Sequence, residues 1–426
     1  MTGVLIAIVL LLGLLVLGVP MLVALLAAVV LNFFLSGQWP LTLPQTMISG
    51  VSSFTLIALP LFVLAGTIMN AGGISGRLFE FARALVGWLR GGLAQVDVLT
   101  SIFFGGMIGS STADLAGTGS ITIPALKREG YPAEVAASVT ASSSGIGPLI
   151  PPSSPMILYS AITGVSLGSL FLAGLVPGII LGLVLMAVVA ILAHRRGWPR
   201  HGRLSLREIW RTGLRSLLSF GMPLIIIGGL VLGVFTPTEG AAFCVVYALV
   251  LSCLIYRTLR PADLLRVFGN AVQITGELLI IVALSFALGA GLTAAHAPQG
   301  LAEIVGALVG EDSRFLQLSA LVVLGIVAGM FLDPLIPVLV PVILPLLTLY
   351  QIDLVHFGAI MVMCVVIGQL TPPLAIALII TSRIADCDQM KIFVANIPFL
   401  LAIVAFLIIL MLVPALATWL PSIART

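Results

Sequence analysis

The sequence predicts an all-α polytopic membrane protein made of two inverted repeats, each with a re-entrant helical hairpin and a broken transmembrane helix. Three observations support this prediction. Of the 426 residues, 60% are hydrophobic and only 8% are charged, a balance far from that of soluble globular proteins. Motifs of the first half recur in the second half. Finally, two apolar segments each contain glycine and two adjacent prolines, residues that interrupt a helix.

The membrane assignment depends on long apolar segments. Residues 169–193 and 392–418 contain no Asp, Glu, Lys or Arg, and each is long enough as a helix to cross about 30 Å of hydrocarbon. The apolar N-terminal run continues to Phe34 without a basic leading region, so we expect membrane structure there and not a cleaved signal. A lipid bilayer is therefore the expected surroundings, and nucleic-acid binding is not expected.

Motifs recur at a constant distance. The pair Pro151-Pro152 recurs as Pro372-Pro373, 221 positions later, and a further proline stands 27 positions before each pair. Secondary transporters are often built from two repeats of opposite orientation. The sequence predicts a first repeat at 1–193, a basic cytoplasmic loop at 194–216 and a second repeat at 217–426.

Each repeat is expected to contain the same series of segments: three spans, an amphipathic arm, a hairpin, a broken span and a last span. In the first repeat these are 3–18, 21–35, 54–70, 74–90, 93–127, 134–163 and 169–193. In the second repeat they are 217–234, 238–256, 270–294, 297–312, 315–349, 354–382 and 392–418. The hairpin segments are too long for one span and are interrupted by GSSTAD and LDPLIP, so each is expected to enter and leave the membrane on one side.

The distribution of charge predicts the orientation. The loop at 194–216 carries a cluster of arginines and is expected to be cytoplasmic under the positive-inside rule. With this loop inside, 17 of the 19 basic residues lie on the cytoplasmic side and both termini lie on the other side. The first hairpin then opens to the cytoplasm, and the second, beside Glu311 and Asp312, opens to the opposite face. The two repeats are therefore expected to be inverted.

The two breaks predict binding sites. A broken helix exposes carbonyl oxygens at one cut end and N–H groups at the other, which suits a cation beside an anion. Oxygen atoms of the hairpin tips and breaks are expected to hold Na⁺, a cofactor of transport. The predicted sodium-site residues are Ser110, Ser111, Thr112, Gly145, Gly147, Pro151, Ser153, Gly329, Asp333, Gly368, Thr371 and Pro372, and the predicted substrate contacts are Asp114, Ser143, Ser144 and Gln369.

No catalytic constellation accompanies these motifs. The sequence has no HExxH, no GxSxG on a predicted strand and no Walker motif, so neither an enzyme nor an ATP-driven pump is expected. Energy for transport would then come from an ion gradient or from the substrate gradient. Glu239 in TPTEGAA is expected to cap a helix, whereas Asp97 and Glu277 lie near predicted span ends and are given no role.

Five motifs resemble one family of transporters. They are GSSTADLAGTGSITIPALKREGYP (109–132), ASSSGIGPLIPPSSPMILYSAITG (141–164), TPTEGAA (236–242), GMFLD (329–333) and HFGAIMVMCVVIGQLTPP (356–373). In order and spacing they resemble the large membrane subunit of TRAP (tripartite ATP-independent periplasmic) transporters, the DctM-like family. The similarity extends over essentially the whole chain.

This resemblance implies an ion-transporter-like fold of the elevator type in the bacterial inner membrane, and sodium-coupled import of organic acids. It also implies two partners: a small four-helix membrane subunit (DctQ-like) and a periplasmic substrate-binding protein (DctP-like). A stand-alone ion-coupled carboxylate carrier of similar fold is the alternative, and adjacent genes for the two partners would separate the hypotheses. A passive channel is disfavoured because polar residues concentrate at two breaks and form no continuous stripe.

Overall fold

The structure is a computed structural model that describes residues 2–35, 42–198, 204–309 and 313–424, and within these ranges every regular element is a helix. The first half contains α1 (Thr2–Val16), α2 (Met21–Leu35), α3 (Thr42–Val51), α4 (Ala58–Ala71), α5 (Ile74–Val86), α6 (Gly92–Ile108), α7 (Ser111–Asp114), α8 (Ser120–Arg128), α9 (Ala133–Ser144), α10 (Ser154–Thr163) and α11 (Leu167–Arg195). The second half contains α12 (Leu206–Ser216), α13 (Gly221–Val231), α14 (Pro237–Leu249), α15 (Pro261–Ala294), α16 (Ala297–Val309), α17 (Arg314–Gly329), α18 (Leu335–Leu349), α19 (Leu354–Gln369), α20 (Ile376–Ala385), α21 (Gln389–Leu412) and α22 (Ala415–Ala424). Short 3₁₀ or π-helical turns extend four of these helices, at Phe54–Ile57, Leu115–Gly119, Leu217–Phe220 and Val250–Ile255.

The helices follow the series of segments that the sequence predicts. Both long segments that were expected to be hairpins are helix pairs with an interruption, α6 with α7–α8 and α17 with α18. Both spans expected to be broken are also interrupted, between α9 and α10 and between α19 and α20. The interruptions coincide with the prolines and glycines because Pro lacks the backbone donor and clashes with the preceding turn.

Four segments differ from the prediction. Part of the region expected to be a loop is the helix α12, and α3 was not expected at all. Leu206, Trp210 and Leu214 of α12 recur every four residues, so they share one face of the helix. The span expected at 270–294 begins earlier, at Pro261, and the span expected at 392–418 divides into α21 and α22. Residues 199–203 of the predicted loop, and Glu311 and Asp312 beside the second hairpin, lie outside the described residues.

The helix that begins at Pro237 has the predicted cap. The backbone N–H of Thr236 donates to Glu239 Oε2 at 2.7 Å, and the backbone N–H of Glu239 donates to Thr236 Oγ1 at 3.3 Å. This reciprocal pair is a capping box, which satisfies two backbone donors at the start of α14. The capping role expected for Glu239 is confirmed.

The outer surface is that of a membrane protein. Within the described residues, six helices are long and apolar enough to cross a bilayer. In four of them only 33% of the most apolar window is buried inside the chain. Such outward apolar faces require lipid or another membrane subunit to cover them.

The packing relates the two halves of the chain. In the first half α6 packs against α9, and in the second half α17 packs against α19. Contacts between the two halves come in matching pairs. α14 packs on α4, and α2 packs on α15. Likewise α10 packs on α18, and α20 packs on α8. A Cβ built on Gly145 would lie 2.5 Å from Val366 Cγ1, and these two positions are separated by the 221-residue repeat distance. Gly145 and Val366 are therefore neighbours in the structure.

Candidate functional site

The tip of the first helix pair rests on the first break. Gly109, between α6 and α7, has a φ of 61°, and its carbonyl accepts a hydrogen bond from the N–H of Ser154 at 3.3 Å. A Cβ at Gly109 would lie 1.5 Å from the carbonyl oxygen of Pro152. The positive φ and this close backbone approach both require glycine. The tip and the break are therefore held together by backbone atoms.

Several side-chain hydroxyl groups lie where the first tip contacts the first break. The hydroxyls of Ser110 and Thr112 are 3.0 Å apart, while Ser111 is buried and its hydroxyl has no hydrogen-bond partner in the described structure. The Ser153 hydroxyl donates to the Pro148 carbonyl and accepts from the backbone N–H at the start of α10. The free hydroxyl of Ser111 is thus the side-chain oxygen of this contact most available to a cation.

The second tip and break repeat the arrangement with a carboxylate. Gly368 packs so closely on Gly329 that a Cβ built on Gly368 would lie 2.4 Å from the Gly329 carbonyl. The N–H of Leu374 donates to the Met330 carbonyl at 3.4 Å, the counterpart of the contact between the first tip and break. The amide of Gln369 donates to Asp333 Oδ2 at 3.2 Å. The second break therefore holds the carboxylate of the second tip.

Side chains of the second break otherwise bond locally. The Thr371 hydroxyl donates to the Ile367 carbonyl of its own helix at 2.7 Å. The peptide bond before Pro373 is cis, as is the one before Pro152 in the first break. The two breaks differ in the polar groups that they present.

One cavity of about 700 Å³ connects both tips. Its wall is formed by the two tips together with parts of α4, α10, α15 and α19. The lining residues are Val63, Gly66, Thr67, Asn70, Ile108, Ser110, Ser111, Thr112, Ala113, Ala116, Pro148, Ser154, Pro155, Leu158, Asn270, Gln273, Ile274, Glu277, Leu278, Ile281, Asp333, Pro334, Leu335, Ile336, Val365 and Gln369. A cavity of this size, largely apolar with a few convergent polar groups, suits a small molecule.

Some predicted site residues line this cavity and others do not. The predicted residues on its wall are Ser110, Ser111, Thr112, Asp333 and Gln369. The predicted residues away from its wall are Gly145, Gly147, Pro151, Ser153, Gly329, Gly368, Thr371 and Pro372, which lie in the breaks or next to them, and Asp114, Ser143 and Ser144. The hydroxyls of Ser143 and Ser144 donate to carbonyls of their own helix, and Asp114 is fully buried. Direct substrate contact by these last three residues is therefore not supported.

One polar wall of the cavity was not predicted from the sequence. Asn270, Gln273 and Glu277 on α15 line it, and the amide of Gln273 donates to Glu277 Oε1 at 3.0 Å. Glu277 was given no role because it was placed near a span end, but α15 continues well beyond it on both sides. The three polar residues recur at i, i+3 and i+7, which places them on one face of a helix, so the signal was present in the sequence.

The electrostatics of the cavity combine two carboxylates with two helix N-termini. Asp333 and Glu277 supply the carboxylates, and the described lining residues include no Lys or Arg. The first residues of α10 and α18 also line the cavity. Helix N-termini carry partial positive charge and unpaired N–H groups that favour an anion. The cavity thus offers sites of both signs without a basic side chain.

Three comparisons with known proteins agree with one another. Residues 8–416 match the family described as tripartite ATP-independent periplasmic transporter, DctM component. The C4-dicarboxylate TRAP transporter large permease protein DctM of Pseudomonas aeruginosa is 37% identical over 371 residues, covering 87% of this chain and 86% of that protein. The sialic acid TRAP transporter large permease protein SiaM of Vibrio cholerae is 34% identical, covering 89% of each chain.

A solved structure has a similar fold. The crystal structure of the YdaH transporter of Alcanivorax borkumensis matches with a TM-score of 0.57 and 14% sequence identity, over 87% of both chains. At that identity the likeness concerns the fold alone.

Proposed function

The chain belongs to the DctM component family of tripartite ATP-independent periplasmic transporters, and we propose that it imports an organic acid across the bacterial inner membrane by sodium-coupled transport. It acts as the large transmembrane subunit, together with a small four-helix membrane subunit and a periplasmic substrate-binding protein that delivers the acid. C4-dicarboxylates and related acids are the proposed substrate class, since the relatives named above carry such anions. The observation that carries the proposal is the cavity between the two helix breaks.

An anionic substrate fits the helix ends that meet at this cavity. Ser154 and Pro155 at the start of α10, and Leu335 and Ile336 at the start of α18, line it. Their positions direct two helix N-termini toward the substrate. At α10 the N–H groups of Ser154 and Met156 already have partners, so the partial positive charge of the helix end takes the place of the basic side chain that a soluble carboxylate-binding site would commonly use.

Sodium coupling follows from the carboxylates in the same cavity. An organic acid beside Asp333, which is half-buried, and Glu277, which is exposed, would experience charge repulsion, so a bound cation lowers the cost of binding. We propose one Na⁺ at each break. The first site uses oxygens of Ser110, Ser111 and Thr112 with the backbone of the first break; the second uses Asp333 with the backbone around Gly329, Gly368 and Thr371.

The elevator mechanism requires a moving part and a fixed part. We propose that the two helix pairs and the two broken helices move together. Each tip contacts its own break through backbone atoms. In addition, α10 packs on α18 of the second pair, and α20 packs on α8 of the first pair. The helices α2, α4, α14 and α15 pack on one another and form the proposed fixed scaffold. The contact between Gly145 and Val366 supports an inverted-repeat axis through the moving part.

The test is a sodium titration of uptake. Proteoliposomes contain this chain and its small subunit, the binding protein with its organic acid is outside, and Asp333→Ala is compared with wild type. Breaking a fully buried ion pair costs on the order of 3–5 kcal/mol; the Asp333 carboxylate is half-buried, so the apparent Na⁺ affinity should fall by roughly tenfold to a hundredfold. Asp263→Ala is the matched control, since Asp263 is an exposed carboxylate at the start of α15.

Three results would each overturn a part of the proposal. If wild-type uptake does not change with Na⁺, sodium coupling is wrong. If Asp333→Ala and Asp263→Ala have the same Na⁺ dependence as wild type, the second break does not hold the cation. Uptake that persists without the binding protein or the small subunit would contradict the tripartite assembly.

A further inference from the structure

The first helix pair encloses two carboxylates that the proposed transport sites do not use. Asp97 on α6 is 0% exposed, and Asp114 at the end of α7 is 2% exposed. The helices that carry them, α6 and α7, pack against each other. Within the described ranges neither of them has a basic side chain as an ion-pair partner. Two carboxyl groups are thus buried on packed helices without a basic partner among the described residues.

Each carboxylate has one bonded oxygen and one free oxygen. The Thr140 hydroxyl donates to Asp97 Oδ2 at 2.6 Å, and the Thr118 hydroxyl donates to Asp114 Oδ1 at 2.5 Å. In the described structure the other oxygens, Asp97 Oδ1 and Asp114 Oδ2, have no hydrogen-bond partner. The buried hydroxyl of Ser101 is also without a partner of good hydrogen-bond geometry, and it lies beside the Asp114 carboxyl. Three buried oxygen atoms therefore remain available.

The sequence spacing brings these groups to one interface. Asp97 and Ser101 are four residues apart on α6, and Asp114 and Thr118 are four apart on the other arm, so each pair shares a helix face. The arms pack against each other and against α9. The π-helical turn Leu115–Gly119 follows Asp114 directly, and such turns often accompany functional sites.

Burial of two ionised carboxylates is costly unless a positive charge compensates them. Carboxylate and hydroxyl oxygens are the ligands that hard cations prefer. We propose that Asp97, Asp114 and Ser101 form a Na⁺ site inside the first helix pair, separate from the two sites at the breaks. Na⁺ is favoured over Ca²⁺ because Ca²⁺ takes six to eight oxygen ligands, and three free side-chain oxygens are present here.

The site would couple the cation to the position of the tip. Asp114 lies three residues after Ser111, the tip residue with a free hydroxyl on the cavity wall. Na⁺ between Asp97 and Asp114 joins the two arms that carry this tip. The cation would accordingly stabilise the tip geometry without touching the substrate.

The experiment counts bound sodium. Equilibrium binding of ²²Na⁺ is measured on the chain with its small subunit in lipid nanodiscs, without substrate. The double variant Asp97→Asn with Asp114→Asn keeps side-chain size and removes both charges, so it should bind one Na⁺ fewer per chain than wild type. Asp263→Asn, which changes an exposed carboxylate, should bind the wild-type number. An unchanged count in the double variant overturns the proposal.

A single substitution that keeps both carboxylates gives a second test, which does not depend on correct folding of the double variant. Ser101→Ala should weaken the binding of one Na⁺ by about tenfold or more, the range for loss of a group that supports a metal site. Ser138→Ala is its control, because Ser138 is a buried serine whose hydroxyl donates to the Val135 carbonyl of its own helix. Equal Na⁺ affinity in Ser101→Ala and Ser138→Ala overturns the role of Ser101. Sodium-independent uptake would refute the proposed coupling and would leave this count unaffected, so the two proposals fail separately.

Discussion

Replacing Gly368 with alanine should separate the second tip from the second break. A Cβ built at Gly368 lies 2.4 Å from the carbonyl carbon and oxygen of Gly329 and 2.8 Å from its Cα. All of these are backbone atoms, so no side-chain rotation relieves the overlap. To restore an ordinary van der Waals contact the two helices α19 and α17 must move apart by about 1 Å.

The magnitude follows from two opposing terms. Overpacking of this kind costs about 1–3 kcal/mol, and alanine recovers up to about 1 kcal/mol over glycine in a helix interior. A net loss of roughly 1–2 kcal/mol is expected. The same movement would lengthen the hydrogen bond between Gln369 and Asp333, which is already 3.2 Å, and apparent Na⁺ affinity should fall with it.

The assay compares Gly368→Ala with Gly228→Ala. A Cβ at Gly228 on α13 would meet nothing within 4 Å, so this variant should be as stable as wild type or slightly more stable. Free energies of unfolding are measured in the same detergent, and Na⁺-dependent uptake is measured in proteoliposomes. If Gly368→Ala is as stable and as active as Gly228→Ala, the contact between α17 and α19 does not position the second tip.

Three further predictions test orientation and packing. A cysteine at 424 should react with an impermeant reagent from the periplasmic side and one at 204 should not; the reverse pattern contradicts the orientation and the inversion with it. Asn396→Leu should cost about 1–3 kcal/mol in unfolding free energy, because it leaves the buried Ser142 hydroxyl without its acceptor, and adding Ser142→Ala should recover part of the loss. Thr236→Ala removes the capping box and should cost about 1 kcal/mol by the same unfolding measurement, with no change in Na⁺ dependence.

The sequence predicted the breaks well because their cause is local. A pair of prolines ends a helix wherever it stands, and the helices α9 and α19 do end before their pairs. By contrast, α12 was expected to be a loop because its arginines dominate its composition. Its apolar residues Leu206, Trp210 and Leu214 nevertheless recur at helical spacing, and weighing that period above the charge would have predicted the helix.

The directions of the polar side chains could not be predicted as well. Ser143 and Ser144 look like ligands in the sequence, but their hydroxyls bond to their own helix, as serine hydroxyls in helices can do. Which face of a helix meets a cavity depends on its rotation, which is set by packing between distant segments. For the same reason Asp97 and Glu277 were passed over, although one is buried in the first pair and the other lines the cavity.

Repetition of the backbone does not make the two breaks chemically equivalent. Asp333 of the second tip stands 221 positions after Thr112 of the first, and Gln369 stands 221 positions after Pro148. The first half therefore has a neutral hydroxyl where the second half has a carboxylate held by an amide. A cation at the second break gains a full charge interaction, whereas a cation at the first gains only dipoles. If both breaks bind Na⁺ as proposed, the second should bind more tightly, and Asp333→Ala should bring its affinity down toward that of the first.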